Sequence, residues 1–311
     1  MTNKFKDPKF HNETAAREWF EAARWPQGPA CPHCKGAKHY ATKKEGRYRC
    51  AAKECRKDFT VMTGTVMERS HAPLTMWAAA FHLFASSKKG ISAHQLHREL
   101  GCQYNTAWFI HHRVMEAMRR GGLDLPPMGG EGKVVEADET YFHDKPEAKR
   151  RAVSTGGGKK MTGPWNKRTI ISLVERGGQV RSFHVEDAYV ENVAKIVRDN
   201  IAKESRLHTD ESALYKKVGR EFASHERVNH GQKEYARGDV TTNTIEGYFS
   251  VFKRGMKGVY QHCDEKHLHR YVAEFDFRYN NRASLGVDDD ARAIAAVRGG
   301  EGKRLTYRQP H

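Results

Sequence analysis

Four cysteines stand between positions 31 and 55 as two short pairs, Cys31-Pro-His-Cys34 and Cys50-Ala-Ala-Lys-Glu-Cys55, with fifteen residues between the pairs. A hairpin closing that separation sets four thiolates around one ion, and four thiolates suit tetrahedral zinc. With all four positions filled there is no place for a substrate, so Zn2+ here supplies folding energy and not catalysis. His33 and His39 could stand in as ligands, but a full thiolate set leaves them as surface residues. Unrelated buried cysteines are the competing reading of the pattern. No signal peptide is legible in the polar start, MTNKFKDPKFHNETAAREWF, and the longest apolar run, Met76 to Ala85, is too short to span a bilayer. No membrane partner is therefore expected, and a soluble, cytosolic chain favours metal ligation over disulfides. Cys102 and Cys263 read as small buried hydrophobes.

Charge points to the partner. Lys and Arg number 54 against 38 Asp and Glu, a net charge of +16, which favours a polyanion such as nucleic acid. At 311 residues the chain exceeds one average domain, so several units are expected.

The pattern along the chain divides it. Residues 1–25 hold one short helix over 13–24, capped by Asn12, with Ala16, Trp19, Phe20 and Ala23 on one face. Residues 26–66 form the ribbon, and 67–120 read as helical. Within the latter, GISAHQLHRELGCQYNTAWFIHHRVMEAMRR sets Ile91, Leu96 and Leu100 on one face, turns at Gly101-Cys102 and restarts at Asn105. This is a helix-turn-helix pattern, with Gln103, Tyr104, Asn105 and Thr106 as candidates for base contact in double-stranded DNA. A helical hairpin that only bridges domains is the alternative. Arg113, Arg119 and Arg120 are either phosphate contacts or a solvated face.

Residues 121–132, which end in LDLPPMGGEG, read as a linker. From Lys133 the pattern becomes strand, KVVEADETYF, then a basic Gly-rich loop over 143–166, then RTIISLVE and QVRSFHVE around the hairpin signal Arg176-Gly177-Gly178. A helix from Val190, the strand SRLHTD, a helical start at ESALYKKVG, the strand SHERVNH and helices over 242–256 and 265–280 follow. This succession is that of an RNase H-like α/β domain over 133–285. The fold class is thus an α/β RNase H-like catalytic domain preceded by a zinc ribbon and a helix-turn-helix segment, with 286–311 as a basic C-terminal tail.

Three acids sit where an acid is costly unless paired or metal-bound: Asp138 inside VVEADETYF, Asp210 ending SRLHTD, and Glu246 in TNTIEGYFSVFKRG. Hard divalent ions, Mg2+ or Mn2+, need oxygen ligands, and phosphodiester cleavage needs charge neutralised on the attacking and leaving oxygens. By the two-residue period of a strand, Glu136 shares the face of Asp138 and Glu139 points away.

Thirty-five residues separate Asp210 from Glu246, and six separate Glu246 from Lys253. Together with VVEADETYF, LHTDESALY, TTNTIEGYFSVFKRGMKGVYQH and HLHRYVAEFDFRYNNR, this spacing resembles the signature of DDE-type transposases, and specifically insertion-sequence transposases with an N-terminal zinc ribbon. The resemblance extends from about residue 15 to 283. It implies metal-dependent cleavage at terminal inverted repeats, exposing a 3′-hydroxyl that attacks target DNA. Asp138, Asp210 and Glu246 would hold magnesium, Lys253 would contact phosphate or a terminal base, and copies would self-associate on DNA near the bacterial nucleoid. Members of the family also carry Asn at the third position, so Asn243, one helical turn before Glu246, stays a candidate beside it. A DNA-binding regulator derived from a transposase and a general RNase H-like nuclease are the rival readings of the same features.

Overall fold

The computed structural model describes residues 6–119, 125–144 and 167–305. The chain divides into two compact units, one made of residues 1–120 with 286–311 and the other of 121–285.

In the first unit, helix α1 (Glu13–Arg24) begins where Asn12 accepts a hydrogen bond from Ala15 N at 3.0 Å, and it buries Ala16, Phe20 and Ala23. Strands β1 (His39–Ala41), β2 (Tyr48–Cys50) and β3 (Asp58–Phe59) make a small antiparallel sheet in chain order. Helix α2 (Leu74–Ser86) is apolar almost all round and lacks a cap of its own. The Glu13 carboxylate of α1 supplies one, accepting from Leu74 N at 2.7 Å and Thr75 N at 3.2 Å. Helices α3 (Ala93–Leu100) and α4 (Tyr104–Met118) are joined through Gly101, whose φ of +60° suits a residue without Cβ.

In the second unit, β4 (Val134–Asp144), β5 (Lys167–Glu175) and β6 (Val180–Val185) form an antiparallel meander. Helix α5 (Val190–Asn200) leads to β7 (Arg206–Thr209), which pairs parallel with β4, and β8 (Ser224–Arg227) pairs parallel with β7. The sheet order is β6-β5-β4-β7-β8, a five-stranded mixed sheet. One face buries Val135, Ala137, Leu173 and Leu207 against Val193 and Val197 of α5 and against Tyr215. A two-stranded ribbon, β9 (Ala236–Arg237) with β10 (Val240–Thr241), delivers the chain to α6 (Asn243–Gly255), which lies with α7 (Glu265–Asn280) against the sheet. The helix expected at ESALYKKVG is instead two short 3-10 turns, Ala213–Tyr215 and Val218–Glu221. Ser212 and Gly219 there sit where caps and turns compete with a continuous helix.

The expected C-terminal tail is also corrected. Residues Asp289–Gly299 form a helix, α8, capped by Asp288, which accepts from Ala291 N at 2.7 Å. It belongs to the first unit: Arg292 donates to Ala85 O and Arg298 to Ala23 O, both at 2.6 Å. Its buried apolar stripe is short and mostly small, Ala293 and Ala296 with Val297, so its apolar periodicity is weak in the sequence although its close packing is not. Residues 145–166 of the basic loop and 306–311 lie outside the described residues.

Candidate functional site

The cysteine ribbon assembles as spacing demands. Cys31 and Cys34 flank a tight turn closed by Lys35 N donating to Cys31 O, and Cys55 ends a second turn in which Arg56 N donates to Ala52 O. The residue after each turn, Lys35 and Arg56, takes a left-handed φ of 63° and 50°. All four Sγ atoms lie within 4.8 Å of one another, with Cys34 and Cys50 3.4 Å apart. Backbone N–H from Gly36, then the Cys50 thiol, draw the Cys34 thiol down to about 7, so a thiolate forms readily there. This donor set fits a structural Zn2+. His33 is exposed, and His39 packs on Tyr48 with ring centroids 5.1 Å apart; neither joins the sulfur cluster.

The acids are assembled by strand pairing. Parallel pairing of β4 with β7 runs to Glu136 opposite His208. Two residues further along each strand line come Asp138 and Asp210, which brings two carboxylates together at the end of the pairing. Asp138 is mostly buried and its Oδ1 accepts from Glu139 N at 2.7 Å. Burial first, and then the charges of Asp210 and Glu139, push its carboxyl up to about 8. Burial likewise raises Asp210, whose Oδ1 accepts from Ser212 N at 2.9 Å.

Glu246 lies in the first turn of α6, exposed, and accepts from Thr242 Oγ1 at 3.0 Å with His230 Nε2 3.4 Å away. It shares with Asp138 a cleft of about 430 Å³ whose other lining includes Glu139, Lys253, Arg254 and Lys257. Asp210 is not part of that lining but adjoins it through Asp138. Asn243 is exposed and does not line the cleft; its backbone N donates to Thr241 Oγ1 at 2.9 Å. Among the described residues the four cysteines are the one group of three or more His, Cys, Asp or Glu whose ligand atoms all fall within 4.8 Å. The hard oxygens and mutual crowding of the acids fit Mg2+ or Mn2+.

Two neighbours of Asp138 exchange the places expected of them. Glu139 does leave the strand on the opposite face, yet it lies past the last β4 residue paired with β7 and lines the cleft. It accepts from Tyr215 OH at 3.0 Å and Ser212 Oγ at 3.4 Å, and burial with the Asp210 charge raises its carboxyl. Glu136 does share the face of Asp138, yet it is fully buried and engaged by other groups. Sequence reading also passed over Arg254 and Lys257, which line the cleft with Lys253; KRGMK sets Lys257 four residues beyond Lys253 and three beyond Arg254, within one helical turn of each.

On α4, Gln103, Tyr104 and Asn105 are exposed at the helix start and Thr106 is half-buried. Arg113 is corrected. It is buried, donates to Val66 O and to Glu68 O at 2.9 Å, and lies 4.0 Å from the centre of the Phe109 ring. Its guanidinium holds the segment before α2 to α4 and is not presented to a phosphate. Arg119 pairs with Glu116.

No helix among the described residues is long and apolar enough to cross a membrane. Residues 129–280 match the ISXO2-like transposase domain family and residues 11–58 match the transposase zinc-ribbon domain family, both of the IS1595 group. A protein of Halobacterium salinarum described as an uncharacterized protein in transposable element ISH50 is 28% identical over 282 residues, covering 86% of this chain and 91% of that protein.

Proposed function

The chain belongs to the insertion-sequence transposases that carry an N-terminal zinc ribbon, and from that premise we propose that it cleaves the ends of its element and joins them to target DNA with Mg2+ or Mn2+ held by Asp138, Asp210 and Glu246. The observation that carries this reading is the cleft. A buried carboxyl, Asp138, is crowded by Asp210 and faces Glu246, beside a wall of Lys253, Arg254 and Lys257.

Bound there, divalent ions supply neutralisation of charge on the attacking and leaving oxygens. The chain's own groups do the rest. Asp138 and Asp210 are carboxyls whose burial makes them poor anions alone and good ones beside a cation. Glu246 enters from the helix and supports the third position better than Asn243, because Glu246 lines the cleft and Asn243 does not. Lys253, Arg254 and Lys257 would hold phosphate oxygens of the strand being cut. The start of α4, with Gln103, Tyr104, Asn105 and Thr106, would read the terminal inverted repeats in the major groove, while zinc keeps the ribbon folded. Pairing two ends implies self-association on DNA and work at the nucleoid.

Cleavage of duplexes bearing the element's own ends tests the reading. Purified protein should nick those ends with Mg2+ or Mn2+, and Asp138→Asn or Asp210→Asn should abolish nicking while end binding persists. Undiminished cleavage by both variants would exclude it.

A further inference from the structure

Thr242, the residue before α6, makes no side-chain cap, and its hydroxyl donates instead to Glu246. The orphan N–H of that helix is satisfied from another strand. Glu136 Oε2 accepts from Ile245 N and Glu136 Oε1 from Thr244 Oγ1, both at 2.9 Å. A carboxylate at a helix N-terminus is favoured by the helix dipole. The same Oε1 receives Arg176 Nε at 2.6 Å. Arg176, from the β5–β6 turn, further donates to Thr241 O at 2.7 Å and Asp239 O at 2.6 Å, and faces His208 Nδ1 at 3.3 Å.

One ion pair, with Glu136 fully buried and Arg176 partly so, thus touches every segment that carries an acid. Glu136 precedes Asp138 by two residues on β4, His208 in β7 precedes Asp210 by two, and Ile245 adjoins Glu246 on α6. Both Glu136 oxygens are occupied by donors, so this acid is not free to ligate an ion although it shares the Asp138 face. We propose that Glu136 and Arg176 are positioning residues, a bracket that sets the spacing of Asp138, Asp210 and Glu246 and thereby the affinity of the cleft for divalent cations. The inference rests on the metal-dependent reading above. Its physical basis is that small divalent ions tolerate little error in ligand placement, whereas a helix start left uncapped can shift.

The test compares Glu136→Gln, Arg176→Lys and Thr244→Val with the parent chain. The readouts are Mn2+ binding followed by electron paramagnetic resonance, the Mg2+ midpoint for end cleavage, and end binding. Expected is Mn2+ affinity weakened by about tenfold in the first two variants and by a smaller factor in the third, in line with outer partners of metal ligands. Cleavage should recover as Mg2+ is raised, with end binding unchanged. Should Glu136→Gln fail to fold, because a part-buried Arg176 is left without its counter-charge, the other two decide the matter. Folded variants with Mn2+ affinity and Mg2+ midpoint within about twofold of the parent would overturn the bracket. A parent chain that binds Mn2+ but never cleaves would overturn the transposition chemistry instead, and the Mn2+ comparison would still judge the bracket.

Discussion

The two candidate metal centres are built in opposite ways. The four cysteines lie within one short stretch, and two tight turns bring their sulfurs within 4.8 Å of each other. Asp138, Asp210 and Glu246 come from a strand, a strand end and a helix start far apart in the chain, and pairing of β4 with β7 and docking of α6 unite them. A centre closed by local turns needs its metal to fold. A centre assembled on a packed sheet exists beforehand, with carboxyls that repel one another until a cation arrives.

Removing the zinc centre should have the largest effect. Cys50→Ser should abolish stoichiometric zinc, measured by atomic absorption, and with it end binding, since structural zinc in finger peptides contributes about 10–16 kcal/mol of apparent binding energy. End binding retained without zinc would break the contrast. Asp138→Asn should leave end binding intact and eliminate cleavage. It should also make the metal-free protein more stable near pH 8. The sign follows from the raised carboxyl: its contribution to stability is full below the unfolded value near 4 and is lost as pH climbs through about 8. Melting curves taken across that window without divalent ions should therefore slope downward in the parent chain from this group and lose that component in the variant. An identical slope in both would show that Asp138 is not crowded.

Arg113→Ala separates the scaffold of the first unit from the face proposed to read DNA. It should lower the melting temperature, because carbonyls of Val66 and Glu68 lose a charged donor worth roughly 1.5–3 kcal/mol, while end affinity per folded molecule changes little. Joint Gln103→Ala and Asn105→Ala substitution should do the reverse, weakening end binding with no loss of stability in calorimetry. Lys257→Ala should give the smallest change, a modest weakening of end affinity that fades as salt is raised. A change independent of salt would remove Lys257 from the phosphate wall.

Elements with strong periodicity or turn chemistry were legible. Asn12 and the stripe Ala16, Phe20 and Ala23 define α1, and Arg176-Gly177-Gly178 defines the hairpin, with Gly177 at a φ of 70°. Helix α8 was not, because its buried stripe is mostly alanine. The segment after Asp210 was read as a helical start at ESALYKKVG, but the turn that Ser212 caps by accepting from Leu214 N is a short 3-10 turn, followed by a second one at Val218–Glu221.

The chain alone determined what local covalent spacing controls. That includes four thiolates for one ion, acids embedded in apolar strands, and a basic run at the end of a helix. Period two also assigned Glu136 and Glu139 to opposite faces of β4, correctly. Only the tertiary structure decided what covers each face. Glu136 meets Arg176 and the start of α6 and is withdrawn from solvent, whereas Glu139 lies past the last β4 residue paired with β7 and reaches the cleft. Side-chain direction is a property of the strand, but the neighbour it meets depends on register and docking, which no run of adjacent residues encodes.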